Sequence, residues 1–451
     1  MPKVTDMTVG SPTKHILRFA LPLIITNFGQ QLYMVADAAI VGRGVGVDAL
    51  ASVGATDWIY WLVLWAAIGL TQGFSTFVSR FFGDKNYERM NKTVAMSVIL
   101  CIAIAIPLTI GSLLASKPLL LLLKTPPEIL NGAVIYLIAM IAGTPIVMAY
   151  NMAASILRGL GDGKTPLWAM IIAAVLNIGL DLLFVFVFHW GILGAAVASV
   201  VSQLVAFIFC FMKIRGIECI KLDRSSWKLD WGLIGALIAF GLPISLEYII
   251  ISLGGIILQS AVNLQGKAFI AGYTATNKLY GLLESSSISL GLASSTFLAQ
   301  NYGAGNFERV RKGVRTSCVI NIAMAMAVMS ITMLIRRFLL SLFLDVSQEG
   351  AAEAMDIGVY YLTIITVSLI ILYLIHIYRN ALQAMEISIW SLISGISECA
   401  VRVIMSKVVV SFIGSDALFF AEPAAWLSAL VIVFLSYLYY KRKLLYKEKE
   451  L

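Results

Sequence analysis

The chain has 451 residues, of which 60% are apolar and only 13% charged, with a net charge of +8. Soluble globular proteins carry roughly 45–50% apolar and about 25% charged residues, so this balance excludes a cytosolic enzyme, a secreted disulfide scaffold and a disordered chain. A polytopic membrane protein remains.

A helix needs about 20 apolar residues to cross a bilayer. Twelve runs meet that length, near 16–40, 49–79, 93–116, 130–155, 166–188, 192–212, 233–258, 269–299, 315–340, 357–382, 388–413 and 418–440. Before them, Met1 to Lys14 is polar and carries no short apolar core with a cleavage site, so the first run is expected to stay as a helix. The expected fold is all-α, with an N-terminal six-helix half over 1–215, a cytoplasmic linker over 216–230 and a C-terminal six-helix half over 231–451.

In chain order, the first span carries Pro22, then Asn27, Gln30, Gln31 and Asp37. Gln30 and Asp37 are seven apart and share a helix face. An ionisable group at depth costs several kcal/mol unless paired or solvated, so Asp37 needs a reason to be there, either chemistry or a place at the outer interface. Between spans four and five, Gly159-Leu160-Gly161-Asp162-Gly163-Lys164-Thr165 imitates a phosphate loop. Arg158 stands where a Walker pattern needs its first glycine, and Pro166 follows, so a cytoplasmic turn is expected and no nucleotide. Span five places Asn177 and Asp181 four apart on one face. Two carboxylates and an amide oxygen are hard ligands that suit Na⁺ at Asp37, Asn177 and Asp181. Alternatively one carboxyl carries a proton, or the Asn177/Asp181 pair only packs helices.

In the second half Pro243 repeats the position of Pro22, and each can kink its helix or simply set its start. Glu247 follows four residues later, and span eight holds Lys278, Tyr280 and Glu284. His376 in span ten reads as a satisfied core group, and Glu398 and Arg402 in span eleven form a pair at i,i+4 that neutralises itself. Gln30, Gln31, Tyr136, Glu247, Tyr280, Glu284, Glu398 and Arg402 are candidates to line a substrate cavity, whose rings and acids suit amphipathic cations. Trp58, Tyr60, Trp61, Trp65 and Tyr150 add aromatic surface to that cavity or to interfacial belts. Five scattered cysteines without paired spacing read as small buried side chains.

Lysine and arginine sort by loop: 24 fall in one alternate set and 6 in the other, which puts both termini on the cytoplasmic side. That count assigns Arg379 to an inner loop and Asp345, Glu349 and Glu422 to outer segments. The charge is thus topology, with no nucleic acid needed to explain it. The chain also repeats itself. Residues 51–94 laid on 271–314 give sixteen identities, among them Gly83, Asn86, Glu88, Arg89 and Lys92 with Gly303, Asn306, Glu308, Arg309 and Lys312. Six spans per half is an even number, so the repeat is parallel, about an axis along the membrane normal.

Phe19-Ala20-Leu21-Pro22, Asp37-Ala38-Ala39-Ile40-Val41-Gly42-Arg43, Ala49-Leu50-Ala51-Ser52-Val53-Gly54, Arg158-Gly159-Leu160-Gly161-Asp162 and Gln300-Asn301-Tyr302-Gly303-Ala304-Gly305 together resemble the MATE family of multidrug and toxin extrusion transporters, over nearly the whole chain. The nearer likeness is to its bacterial DNA-damage-inducible-type and MepA-like branch. The resemblance implies twelve helices in two lobes forming a V around a central cavity, and cation-coupled export by alternating access. It implies a monomer in the bacterial inner membrane that handles drugs and organic cations, with no cofactor beyond a coupling H⁺ or Na⁺, and no enzyme activity. It assigns cation coupling to Asp37, Asn177 and Asp181 with a hydroxyl from span six, best matched by Ser199 where relatives often carry Thr. It also links the first-helix proline, here Pro22, to bending. A lipid-linked precursor flippase of related fold is the alternative. A membrane-embedded enzyme is a third reading, disfavoured because the chain has only three histidines and no catalytic set.

Overall fold

The computed structural model describes residues 4–123, 125–344 and 350–450, without the side chains at 32, 35, 36, 38, 47, 58 and 444–450. The expectations for Asp345, Glu349 and the Trp58 ring lie outside the described residues. The helices are α1 (Pro12–Gly44), α2 (Val47–Gly83), α3 (Tyr87–Leu122), α4 (Pro127–Ala142), α5 (Thr144–Gly159), α6 (Lys164–Asp181), the π-helix π1 (Leu182–Val187) and α7 (Gly191–Arg215). There follow α8 (Trp231–Val262), α9 (Lys267–Gly303), α10 (Phe307–Ser341), α11 (Ala351–Ala384), α12 (Ile389–Ile404), π2 (Met405–Val409), α13 (Val410–Ile413) and α14 (Asp416–Glu450).

Each of the twelve predicted spans has its helix or broken helix. Among the described residues eight helices are long and apolar enough to cross a membrane, and nine if α4 and α5 count as one bent span. That pair bends by 44°, where the sequence suggests one straight run. The break falls at Gly143, two residues before Pro145, whose ring nitrogen has no hydrogen to donate back into α4. The helices short of that standard are α1, α9 and α12 with its continuation, which carry most of the polar candidates.

The chain divides into two compact units. One comprises 1–6 and 25–245, the other 7–24 and 246–451. The boundaries fall inside α1 and α8, two residues beyond Pro22 and Pro243, while both helices run on without interruption.

In the first unit α7 packs on α4, α5 and α6, and α2 packs on α3, α4 and α5. The start of α8 comes so close to α2 that a Cβ on Gly73 would meet Gly241 Cα at 2.8 Å, so Gly73 needs to be glycine. Residues 216–230 are pinned to α3: Asn91 Nδ2 donates to Cys219 O (3.2 Å), Lys221 N–H donates to Asn91 Oδ1 (3.1 Å), and Lys92 pairs with Asp230 (2.8 Å). Within that stretch Asp223 accepts from the Ser225 and Ser226 hydroxyls at 2.7 and 2.8 Å, and these bonds hold its carboxyl down at about 2.

In the second unit α11 is central, against α9, α10 and α14, and α12 packs on α14. Thr276 Oγ1 donates to Gly358 O (3.1 Å) where α9 and α11 touch. Met7 is buried beside Phe19, Leu23 and Phe297. Its N–H donates to Gln300 Oε1 (2.9 Å), and its carbonyl accepts from Asn301 Nδ2 (3.1 Å) and Arg309 Nη2 (3.0 Å). The Gln300-Asn301 motif is therefore the seat of the N-terminal strand of chain.

The repeat has a structural reason. Asn86 accepts Arg89 N–H at 3.1 Å to cap α3, and Asn306 accepts Arg309 N–H at 3.1 Å to cap α10. Matched loop residues are matched caps.

Candidate functional site

The first unit gathers its coupling candidates from three helices. Asp37 stands about two turns before the end of α1, Asp181 is the last residue of α6, Asn177 lies one turn earlier, and Ser199 is in α7. Asn177 and Asp181 are fully buried, and Ser199 nearly so. With the Asn177 amide turned toward Asp181, its Nδ2 donates to Asp181 Oδ2 at 2.8 Å. Its Oδ1 then accepts from Ser199 N–H at 3.1 Å and from Ser199 Oγ at 3.3 Å. Tyr33, one turn before Asp37, closes the line with its hydroxyl 3.2 Å from Ser199 Oγ. At the other end the Asp37 and Asp181 carboxyl groups are hydrogen-bond neighbours. Asp37 Oδ1 and Asp181 Oδ1 are buried and have no hydrogen-bond partner among the described residues.

Physics limits what this can be. Two ionised carboxylates about 4 Å apart at an effective dielectric near 20 repel by about 4 kcal/mol. That is roughly a thousandfold in an equilibrium constant. Carboxylates are acceptors only, so a hydrogen bond between them requires one proton, and a small cation would serve the same purpose. Directly after Asp181 the backbone loosens into π1, a form that recurs at functional sites.

Of the other first-unit candidates, Tyr136 is buried with Met140 and Ala196 and lies within electrostatic reach of Asp37 and Tyr33. Gln31 is half-buried and Gln30 exposed. The phosphate-loop imitation is satisfied from within. Asp162 Oδ1 accepts the N–H groups of Lys164 and Thr165, each at 3.0 Å, so its own carboxylate sits at the start of α6 where an anion would bind.

The second unit holds a ladder of alternating charge. Glu247 Oε1 is 2.8 Å from Arg379 Nε, and Arg379 Nη2 is 2.5 Å from Glu398 Oε1. Glu398 Oε2 is 3.3 Å from Arg402 Nη2, which is 2.7 Å from Glu422 Oε2. Arg379 also donates to Ser394 Oγ (3.0 Å), and Arg402 to Ile251 O (3.2 Å). The i,i+4 pair expected at Glu398 and Arg402 is thus the middle of a longer array. Arg379, counted in the sequence with an inner loop, is buried in α11, and Glu422, read as an outer acid, forks onto Arg402 from α14. Neither shows a sequence signal of its own, although Arg379 stands at the repeat position of Arg158. Tyr33, one turn before Asp37, was within reach of the same-face argument.

Glu284 faces His376 at 3.4 Å, so that histidine has a named partner. Tyr280 stacks on Trp426 with centroids 5.5 Å apart. Among the described residues no group of three His, Cys, Asp or Glu side chains is placed to hold a metal ion.

A family model described as MatE matches residues 22–183 and again 243–409. "Probable multidrug resistance protein YoeA" of Bacillus subtilis (strain 168) is 29% identical over 334 residues, 72% of each chain. The "FAD transporter" of Shewanella oneidensis is 24% identical over 310 residues, 67% of this chain and 68% of that one. The solved "Outward-facing conformation of a multidrug resistance MATE family transporter of the MOP superfamily" superposes with a TM-score of 0.91 over 98% of both chains, at 23% identity.

Proposed function

The chain belongs to the MatE family, as a membrane transporter and not an enzyme, and from that premise we propose that it exports amphipathic organic cations in exchange for H⁺ or Na⁺. The coupling site in this reading is Asp37, Asp181, Asn177 and Ser199, with Tyr33 as a further polar member. The observation that supports it is the contact between the Asp37 and Asp181 carboxyl groups, each with one buried oxygen that has no partner among the described residues. Loading a proton or Na⁺ there relieves a repulsion of several kcal/mol. Coupling follows if the loaded and unloaded pairs favour different conformations, because an ion can drive a change only by its differential affinity for the two states.

Pro22 and Pro243 are the expected hinges. Each removes one backbone hydrogen bond just before its helix passes from one compact unit into the other. The proposed setting is the bacterial inner membrane, as a monomer with both termini cytoplasmic, in line with the charge bias of the loops. Family membership leaves cargo open, since one relative is named an FAD transporter.

The test is transport of a fluorescent cation by purified protein in liposomes, under an imposed pH or Na⁺ gradient. Gradient-driven transport should disappear in Asp37→Asn and Asp181→Asn, while both variants express and insert normally. Wild-type transport in both would remove this site from the mechanism.

A further inference from the structure

The second unit contains a cavity of about 530 Å³ that neither the carboxyl pair nor the ladder uses, lined by Lys267, Ile270, Thr274, Lys278, Phe343 and Leu344 among others. Its size is that of an ordinary ligand pocket. Lys267, Thr274 and Lys278 lie on one face of α9, at spacings of seven and four residues, and all three are exposed. The opposite face of α9 buries Tyr273, Thr276 and Leu279. Between the lysines the strip is small, with Ala271 and Thr274, which leaves room beside the helix, while Phe343 and Leu344 after α10 close the apolar side.

Lys267 is the first residue of α9, and Lys278 is eleven residues on, about 16 Å along the axis. Among the described residues neither ammonium has an ion-pair or hydrogen-bond partner, in contrast with Arg379 and Arg402, which the chain surrounds with carboxylates. An ammonium held against an apolar wall favours a counter-charge or hydrogen-bond acceptor that replaces lost water. Two ammonium groups and a hydroxyl on an apolar wall are complementary to a negatively charged head group with a hydrocarbon tail. Lysines act as point charges on phosphate, without the planar fork that arginine imposes.

We propose that this cavity binds an amphiphile with an anionic head group, the head at Lys267, Thr274 and Lys278 and the tail against Ile270, Phe343 and Leu344. The site shares no residue with the coupling site and takes the charge opposite to the proposed cargo. Its source is either a phospholipid of the bilayer or a free organic anion.

Binding of dodecyl phosphate to the full-length protein in a neutral detergent tests it, followed by thermal shift and isothermal titration. Dodecyltrimethylammonium serves as the probe of opposite charge and inorganic phosphate as the head group alone. The expected result is saturable binding of dodecyl phosphate that weakens at least tenfold in K267Q/K278Q and persists in K278R, with dodecyltrimethylammonium unaffected by either. Competition by phosphatidylglycerol nanodiscs, but not by phosphatidylcholine ones, would identify a lipid source. Binding that phosphatidylglycerol leaves unchanged would identify a free anion. Equal dodecyl phosphate binding by wild type and a folded K267Q/K278Q, or no binding by wild type, overturns the proposal. K278R, which keeps charge and bulk, separates loss of the site from loss of the fold. Because the readout is binding, failure here would leave the coupling experiment untouched.

Discussion

The two halves of the repeat put opposite electrostatics on one backbone plan. At an offset of 221, Asn177 corresponds to Glu398, Asp181 to Arg402 and Asp37 to Leu258. Among the described residues the first half therefore keeps two acids in contact with no basic partner, whereas the second interleaves Glu247, Glu398 and Glu422 with Arg379 and Arg402. An arginine-locked carboxylate has little to gain from a proton, because its counter-charge is already in place. An acid pair without one gains several kcal/mol from any small cation. In the proposed function the mobile charge belongs to the first half and the fixed charge to the second.

The largest effect should come from emptying the acid pair. Asp181→Asn is expected to cut gradient-driven export at least tenfold in cells and liposomes, with a thermal midpoint close to wild type. Next is the ladder. Arg379→Gln leaves Glu247 buried without a guanidinium and Glu398 with Arg402 as its remaining one, a loss of about 3–5 kcal/mol. It should appear as aggregation or a much lowered midpoint by fluorescence-detected gel filtration. Adding Glu247→Gln removes one orphaned charge and should recover part of that stability. A stable, active Arg379→Gln would mean the ladder is ornamental.

Ser199→Ala removes the hydroxyl between Tyr33 and Asn177, worth about 1 kcal/mol, so the half-saturating ion concentration should shift several-fold. Ser199→Thr should restore it. Glu247→Gln alone is expected to keep export within twofold of wild type. Abolished export with an unchanged midpoint would break the contrast and move part of the coupling into the second half. Smallest of all is Arg337→Gln. Its pair with Asp356 is solvent-exposed, so the midpoint should barely move, below about 1 kcal/mol. The result calibrates the Arg379 effect.

Much of this was legible in the sequence because it is written locally. Apolar runs located the helices, and i,i+4 spacing put Asn177 beside Asp181 on α6. The family likeness supplied Ser199, and the structure places it against Asn177. What escaped is written in three dimensions. Arg379 sits near the end of an apolar run, where charge usually marks a loop, and only the approach of α8 and α12 to α11 makes it a buried bridge. Glu422 looked interfacial for the same reason. The bend at Gly143 was signalled by Pro145 and hidden by continuous hydropathy on both sides.

The π-helices add a second kind of repetition. One follows Asp181 directly and the other begins three residues after Arg402, at overlapping places in the repeat. A π segment is rare and is found mostly at functional sites. The two halves therefore share a fault in the helix as well as a fold, set just behind an acid in one half and an arginine in the other.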